Sequence, residues 1–328
     1  MLNLLTAALL LAISVGVVVL FIRTAKRIFH LHSSGTYLER TSKALLRELE
    51  VTVDDAIRKG DYATALLLMR PLAEQGDAAT QYNVGQMYRE GKGVQQNFAE
   101  ALRWYRLSAD QGYAEAQFTF GVIYRFGDGV PQNDAEAVKW YRLAAEKGYA
   151  PAQYNLGQRY REGKGVQQNF AEALRWYRLS AGQGLAEAQF NIGAMYRFGD
   201  GVPQNDAEAV KWYRLAAEKG YAPAQTNLGF MYEEGKGVPQ NFGEALRCYG
   251  FAADQGAAEA QHNLGLKYAM GQGVPLDYVR ALMWFSLAAS QGHQNAMEDR
   301  DLAAGRMTPA QIAEAQKLEH EWRSKHPR

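Results

Sequence analysis

The chain has 328 residues, with 36 Lys and Arg against 35 Asp and Glu, so its net charge is +1. That balance supplies no basic field for nucleic acid or for strongly acidic partners. A single cysteine, Cys248, excludes an intramolecular disulfide and any all-cysteine metal site.

Residues Met1 to Ile22 carry no charged side chain and are almost wholly apolar. At about 1.5 Å rise per residue such a segment is long enough to cross a hydrocarbon layer of about 30 Å. Arg23, Lys26 and Arg27 follow at once. A cleaved signal peptide would need a basic start, a shorter apolar run and a small-residue cleavage site, so the segment reads as a retained transmembrane anchor. The basic residues lie after the span, which predicts a single-pass protein with the remainder of the chain in the cytoplasm. An exported or periplasmic location is the alternative.

From about Ala78 to His293 the sequence repeats every 36 residues, six times. Gly85, Gly121, Gly157, Gly193, Gly229 and Gly265 recur in register, each followed by a G-x-G-V loop such as Gly91-Lys92-Gly93-Val94. A bulky column follows at Trp104, Trp140, Trp176, Trp212 and Trp284, broken only by Cys248. This period, with two helical segments per unit, predicts an α-solenoid. Helix A of the first unit is expected over 78–90, with Gln81, Val84, Gly85 and Tyr88 on one face. A mid-helix glycine costs about 1 kcal/mol relative to Ala, so its recurrence implies a neighbouring ring that needs the space, and the tryptophan is the expected occupant. The loop glycines suit positive φ at the end of helix A. Helix B opens on a capping box, Asn97 with Glu100, Asn133 with Glu136, Asn169 with Glu172, Asn205 with Glu208 and Asn241 with Glu244, while Asp277 keeps only the cap. Val53 to Gly76 reads as a degenerate leading unit, Asn295 to Ala304 as a further helix A, and Thr308-Pro309-Ala310-Gln311 as the start of a capping helix. The chain therefore divides into an anchor over 1–22, a basic juxtamembrane linker over 23–50, a degenerate repeat over 51–77, six repeats over 78–293 and capping helices over 294–328.

The glycine of helix A, the G-x-G-V loop, Ala101-x-x-Trp104-Tyr105 and Ala109-x-x-Gly112 together resemble the Sel1-like repeat, a relative of the tetratricopeptide repeat. The resemblance spans about residues 51–303 and implies an all-α, right-handed solenoid of helix-turn-helix units that binds proteins or peptides. Tyr124 to Gln153 recurs unchanged at Tyr196 to Gln225, and Tyr88 to Ala109 at Tyr160 to Ala181, so a 72-residue double unit has been copied. A catalytic pocket would have to survive insertion of such a segment, whereas a scaffold only lengthens.

Motifs for chemistry are sparse. Gly85 to Gly93 departs from a phosphate loop in spacing and lacks the Ser or Thr after Lys92. His30, His32, His262, His293, His320 and His326 share no metal-binding spacing, and Cys248 sits in the tryptophan column as a small hydrophobe. No metal, no cofactor and no catalytic residue is expected. The resemblance extends to cysteine-rich relatives linked to β-lactam binding or hydrolysis, but the paired cysteines are missing here. Helix B carries basic ladders at Arg103, Lys139, Arg175, Lys211 and Arg247 and at Arg106, Arg142, Arg178 and Arg214, which read as partners of acidic residues on the same helix.

The candidate partner-binding surface is the face of helix A away from Gly85. On a 100° wheel it gathers Asn83, Met87, Thr119, Ile123, Phe126, Asn155, Arg159, Asn191, Met195, Phe198, Asn227, Phe230 and Asn263. A recurring amide amid changeable neighbours suits a groove that bonds a peptide backbone while selecting its side chains. The expected role is a membrane-anchored scaffold for protein partners. A regulatory subunit of a membrane-associated enzyme or envelope complex is the alternative, and a β-lactam hydrolase the remote one.

Overall fold

The computed structural model describes residues 47–49 and 51–326, and every described element is helical. The expected anchor over residues 1–22 lies outside the described residues, and among those described no helix is long and apolar enough to cross a membrane. A first helix, α1, is described over 47–49 and 51–58. It is followed by α2, Tyr62–Glu74. Six helix pairs come next: α3 (Ala78–Glu90) with α4 (Phe98–Asp110), α5 (Ala114–Phe126) with α6 (Asp134–Glu146), α7 (Ala150–Glu162) with α8 (Phe170–Gly182), α9 (Ala186–Phe198) with α10 (Asp206–Glu218), α11 (Ala222–Glu234) with α12 (Phe242–Asp254), and α13 (Ala258–Met270) with α14 (Tyr278–Ala289). The chain ends in α15, Gln294–Ala304, and α16, Pro309–Lys325. The described residues form two compact units, one reaching Ala152 and including 164–166, the other made of Gln153–Gly163 and 167 onward.

Each element ends where the sequence supplies a cap. Helix A of the first pair stops at Gly91, whose φ of 69° is left-handed, and the N–H groups of Gly91 and Lys92 both reach Met87 O. The second loop glycine is needed for space as well as for conformation. A Cβ on Gly93 would lie 2.3 Å from Tyr62 O, and one on Gly165 would lie 2.2 Å from Asp134 O, so the loop rests on the first turn of the preceding helix B. Helix B begins with an asparagine side chain accepting the N–H three residues on, as Asn97 Oδ1 does from Glu100 at 3.1 Å.

The expected reciprocal half of the capping box does not form on helix B. The N–H of Asn97 donates to Tyr88 O at 2.9 Å, a tie from helix A that recurs at Asn133, Asn169, Asn205, Asn241 and Asp277. The glutamate is thereby released to its own helix, where Glu100 pairs with Arg103 at 3.2 Å, Glu172 with Arg175 at 3.2 Å and Glu244 with Arg247 at 2.7 Å. A full capping box forms only on α16, between Thr308 and Gln311, among the caps described.

A second correction concerns the ring over the mid-helix glycine, which is the tyrosine beside the tryptophan. A Cβ on Gly85 would stand 2.7 Å from Tyr105 Cδ1, and Gly121, Gly157, Gly193 and Gly229 meet Tyr141, Tyr177, Tyr213 and Tyr249 in the same way, with Phe285 over Gly265. These rings are the most deeply buried large side chains of helix B. The tryptophans pack on the other flank of helix A: Trp104 against Val84 and Met87, and Trp140 stacked on Phe120 at 5.0 Å. Cys248, 4% exposed among Leu228 and Met231, fills the same place, and burial pushes its thiol up to about 11. It is a protonated packing residue at neutral pH.

Candidate functional site

The helix A columns show which side chains a partner can reach. Met87, Ile123 and Met195 are buried against the tryptophan column, and Arg159 is 2% exposed. Thr119 and Asn191 are buried as well. This corrects the expectation that all of them face a ligand. The wheel assumed one packed face, whereas helix A is held by its own helix B on one side and by the preceding helix B on another. Asn83 is exposed, and Asn155, Asn227 and Asn263 are half-buried. Phe126 and Phe198, at the last position of helix A in the second and fourth repeats, are 61% and 64% exposed.

Two members of this column, Thr119 and Asn227, join one helix A to the one before it. Thr119 Oγ1 donates to Tyr82 Oη at 3.4 Å, and Asn227 accepts from Arg197 while donating to Pro223 O at 2.9 Å. Arg197 also lies 4.5 Å over the half-buried Phe230, with Lys236 on the same ring at 5.1 Å. In the sixth repeat Lys267, 2% exposed, takes the methionine position and donates to Glu233 and to Gln272 Oε1, while Tyr249 Oη donates to Glu233 Oε2 at 2.7 Å. Such a buried pair is retained because each charge is multiply bonded. At the start of the array Asn83, Gln86, Met87 and Glu90 join Val53, Ile57 and Lys92 around an open cleft of about 250 Å³.

Two features escaped the sequence reading. The first is a glutamine ladder. Gln81, Gln117, Gln189, Gln225 and Gln261 each donate to a carbonyl at the end of the preceding helix B, as Gln81 Nε2 does to Ala73 O at 2.9 Å. The glutamine ending helix B then donates to it, Gln111 to Gln81 at 2.7 Å and Gln255 to Gln225 at 2.8 Å. In the second and fourth repeats that position holds Lys147 or Lys219, which does not donate to the ladder, and the buried Oε1 atoms of Gln117 and Gln189 have no hydrogen-bond partner.

The second feature is an aromatic cup built twice. In the first unit Tyr82 and Tyr113 are 5.6 Å apart, Phe118 and Tyr149 are 5.4 Å apart, and Glu115 lies among them; all five are half-buried. Burial raises the phenols of Tyr113 and Tyr149, and Glu115 raises both further. In the second unit the same positions hold Tyr154, Phe190, Tyr221 and Glu187, with Phe190 and Tyr221 at 5.5 Å. The phenol of Tyr221 is raised by burial, then by Tyr154 and Glu187. The signal was a tyrosine or phenylalanine at 82, 118, 154 and 190 with glutamate at 115, 187 and 259.

Helix pairs stacked through Gly–Tyr contacts and G-x-G-V loops define an α-solenoid of short repeats with no strand among the described residues. The Sel1 repeat model matches residues 78–113, 114–149, 150–185, 186–221, 222–256 and 258–293, and the chain belongs to that family. Among solved structures it is similar to a protective antigen of uropathogenic Escherichia coli strains displaying an SLR fold, at 33% identity and a TM-score of 0.76, covering 88% of this chain and 64% of that one. The chain thus spans about two thirds of that relative's length. A Sel1 repeat protein from Oxalobacter formigenes is 36% identical with a TM-score of 0.67, covering 73% of this chain and 96% of that one. No curated protein matches. Sel1 repeats generally mediate binding between proteins.

Proposed function

We propose that this protein is a scaffold that holds peptide segments of partner proteins on the helix A face of its repeats, tethered to a membrane through residues 1–22. The observation that carries the binding role is the pair Phe126 and Phe198, large apolar side chains held out from the same position of helix A, 72 residues apart, at 61% and 64% exposure. Both rings are more exposed than the apolar column of helix B, Leu107, Leu143, Leu179, Leu215 and Phe251, which reaches 51% at most. On the equivalent helix A positions Asn83 is exposed, Asn155, Asn227, Asn263 and Phe230 are half-buried, and Met87, Ile123, Arg159, Met195, Thr119 and Asn191 are buried.

A photo-crosslinking residue placed at Phe126 or Phe198 of the full chain in cells should yield discrete partner adducts, and the same residue at Arg175 on helix B should yield few. Equal labelling from both faces, or none from either, sinks the helix A reading. Tethering rests on the uncharged run before Arg23. A cytoplasm-active reporter fused after Arg328 should work; an export-dependent reporter working in its place would leave the scaffold and reverse its side of the membrane.

A further inference from the structure

The two aromatic cups share a composition that packing alone does not require. Each joins half-buried rings from two successive repeats to one carboxylate on the first turn of helix A, Glu115 in one and Glu187 in the other. Neither carboxylate forms an ion pair among the described residues, although most glutamates of helix B pair within their own helix. A helix start does favour a negative charge. That preference does not explain the pattern, because the same position in the first, third and fifth repeats holds Ala79, Pro151 and Pro223. The glutamate occurs only where rings surround it. The hydroxyls of Tyr113, Tyr149 and Tyr221 bond no protein group among the described residues, so they present both π-faces and free acceptors at the surface.

We propose that these cups are seats for basic side chains, arginine foremost, of the peptide that the scaffold holds: Tyr82, Tyr113, Phe118 and Tyr149 around Glu115, and Tyr154, Phe190 and Tyr221 around Glu187. The chemistry follows from the parts. A guanidinium stacks on an aromatic face and keeps its N–H edge for a carboxylate, and both contacts strengthen where rings exclude water. Lys147 and Lys219 lie against Gly112 and Gly184, one turn before Glu115 and Glu187, yet neither forms an ion pair with these carboxylates, which leaves a charge for a partner to match. In the sixth repeat the equivalent rings are His262 and His293, 4.6 Å apart, with His262 Nε2 on Asp299 Oδ2 at 2.7 Å, so imidazoles stand where the two cups have phenyl and phenol faces, and that copy is not a seat.

This inference rests on the partner-binding reading, and the test separates the two. The full chain is titrated by fluorescence anisotropy with a labelled Gly-Arg-Gly-Arg-Gly peptide and with a twin in which each arginine is citrulline, which has the same shape without the charge. The arginine peptide should bind at least about 10-fold more tightly. The double variant Glu115→Gln with Glu187→Gln should erase most of that difference and leave the citrulline twin unchanged. Tyr149→Phe with Tyr221→Phe should retain binding, since the ring face persists. Glu100→Gln with Glu172→Gln, which removes two helix B carboxylates, should have no effect. Equal affinity for the twin, an unaltered double variant, or an equal loss from the helix B control each overturns the cups. Should partner adducts from Phe198 survive in cells in the Glu115→Gln, Glu187→Gln variant at full yield, the cups fail while the scaffold stands; absence of adducts from the parent protein fails the scaffold itself.

Discussion

Gly157 lacks a Cβ because the Tyr177 ring occupies the place where one would lie, with Cδ1 and Cε1 both 2.8 Å away. Gly182, in the last turn of helix B of the same repeat, has nothing within 4 Å. The same substitution should therefore act in opposite directions. Gly182→Ala gains helix propensity and should stabilise by up to about 1 kcal/mol. Gly157→Ala gains the same propensity but must displace a buried ring, and overpacking of about 1–3 kcal/mol outweighs it. Denaturant midpoints of the two variants read the signs; a stabilised Gly157→Ala would show that the ring does not hold the glycine. The glutamine ladder gives a further test at single-residue scale. Lys219 ends helix B where the first, third, fifth and sixth repeats have glutamine, and Gln189 Oε1 is left buried without a donor. Lys219→Gln should supply that donor and stabilise by about 1 kcal/mol, while Gln183→Lys, removing the 2.8 Å bond to Gln153, should destabilise by a similar amount. Stabilities that move the other way, measured by the same midpoints, would remove the ladder from the account.

At the scale of elements, α15 has an N-cap that titrates. His293 Nδ1 accepts the N–H of Ala296 at 3.2 Å, so this nitrogen must be unprotonated. Burial, and then the adjacent His262, push His293 below the ordinary value of 6.5, while Glu259 and Asp299 pull the other way. The unfolded chain thus binds a proton more readily than the folded one between those two values. The cap's contribution, about 1 kcal/mol, is present above 6.5 and is lost as pH falls through 6.5 toward the folded value. His293→Asn keeps a cap that does not titrate, and the stability difference between the two proteins should grow toward acid; a constant difference would show that His293 does not control the end of the array. The elements themselves were legible in the sequence. Glycine at the helix A stop and asparagine at the helix B start are local requirements, satisfied within a few residues whatever the neighbours do. Which ring covers Gly85 was not legible. Trp104 and Tyr105 are adjacent on helix B and diverge by about 100°, so the crossing of two helices decides between them. The binding face failed in part for a related reason. A wheel sorts residues into one buried and one open side, but Met87 and Arg159 lie on helices with neighbours on several sides, and of the expected face only Asn83, Phe126 and Phe198 are exposed.

For the whole molecule, the copied 72-residue segment makes length the freest variable. In a linear repeat array stability is a sum of unit and nearest-neighbour terms, so a unit can be removed if the new junction reproduces an existing one. Deleting residues 114–185 joins the first repeat to the fourth. Residues 88–109 of the first repeat are identical to 160–181 of the third, so the fourth repeat meets on its new neighbour the helix B surface that it meets in the parent. Differences lie at the connection, where Asp110 and Tyr113 replace Gly182 and Leu185, and on helix A, where Ala79, Thr80, Val84 and Met87 replace Pro151, Ala152, Leu156 and Arg159. The Tyr213 ring over Gly193 and the Phe190 and Tyr221 pair come from within the retained segment. Tyr82 would take the place of Tyr154 beside Glu187, so one complete aromatic cup should form where the parent has two. The shortened chain should be soluble, with helix content per residue equal to the parent's within error by circular dichroism and a modestly lower thermal midpoint, as expected for fewer interfaces. It should also bind the arginine peptide of the cup test with half the stoichiometry and a similar affinity per site. A shortened chain that loses its helical signal would show that the repeats are not interchangeable, and one that folds but binds two peptides would place the sites elsewhere on the array.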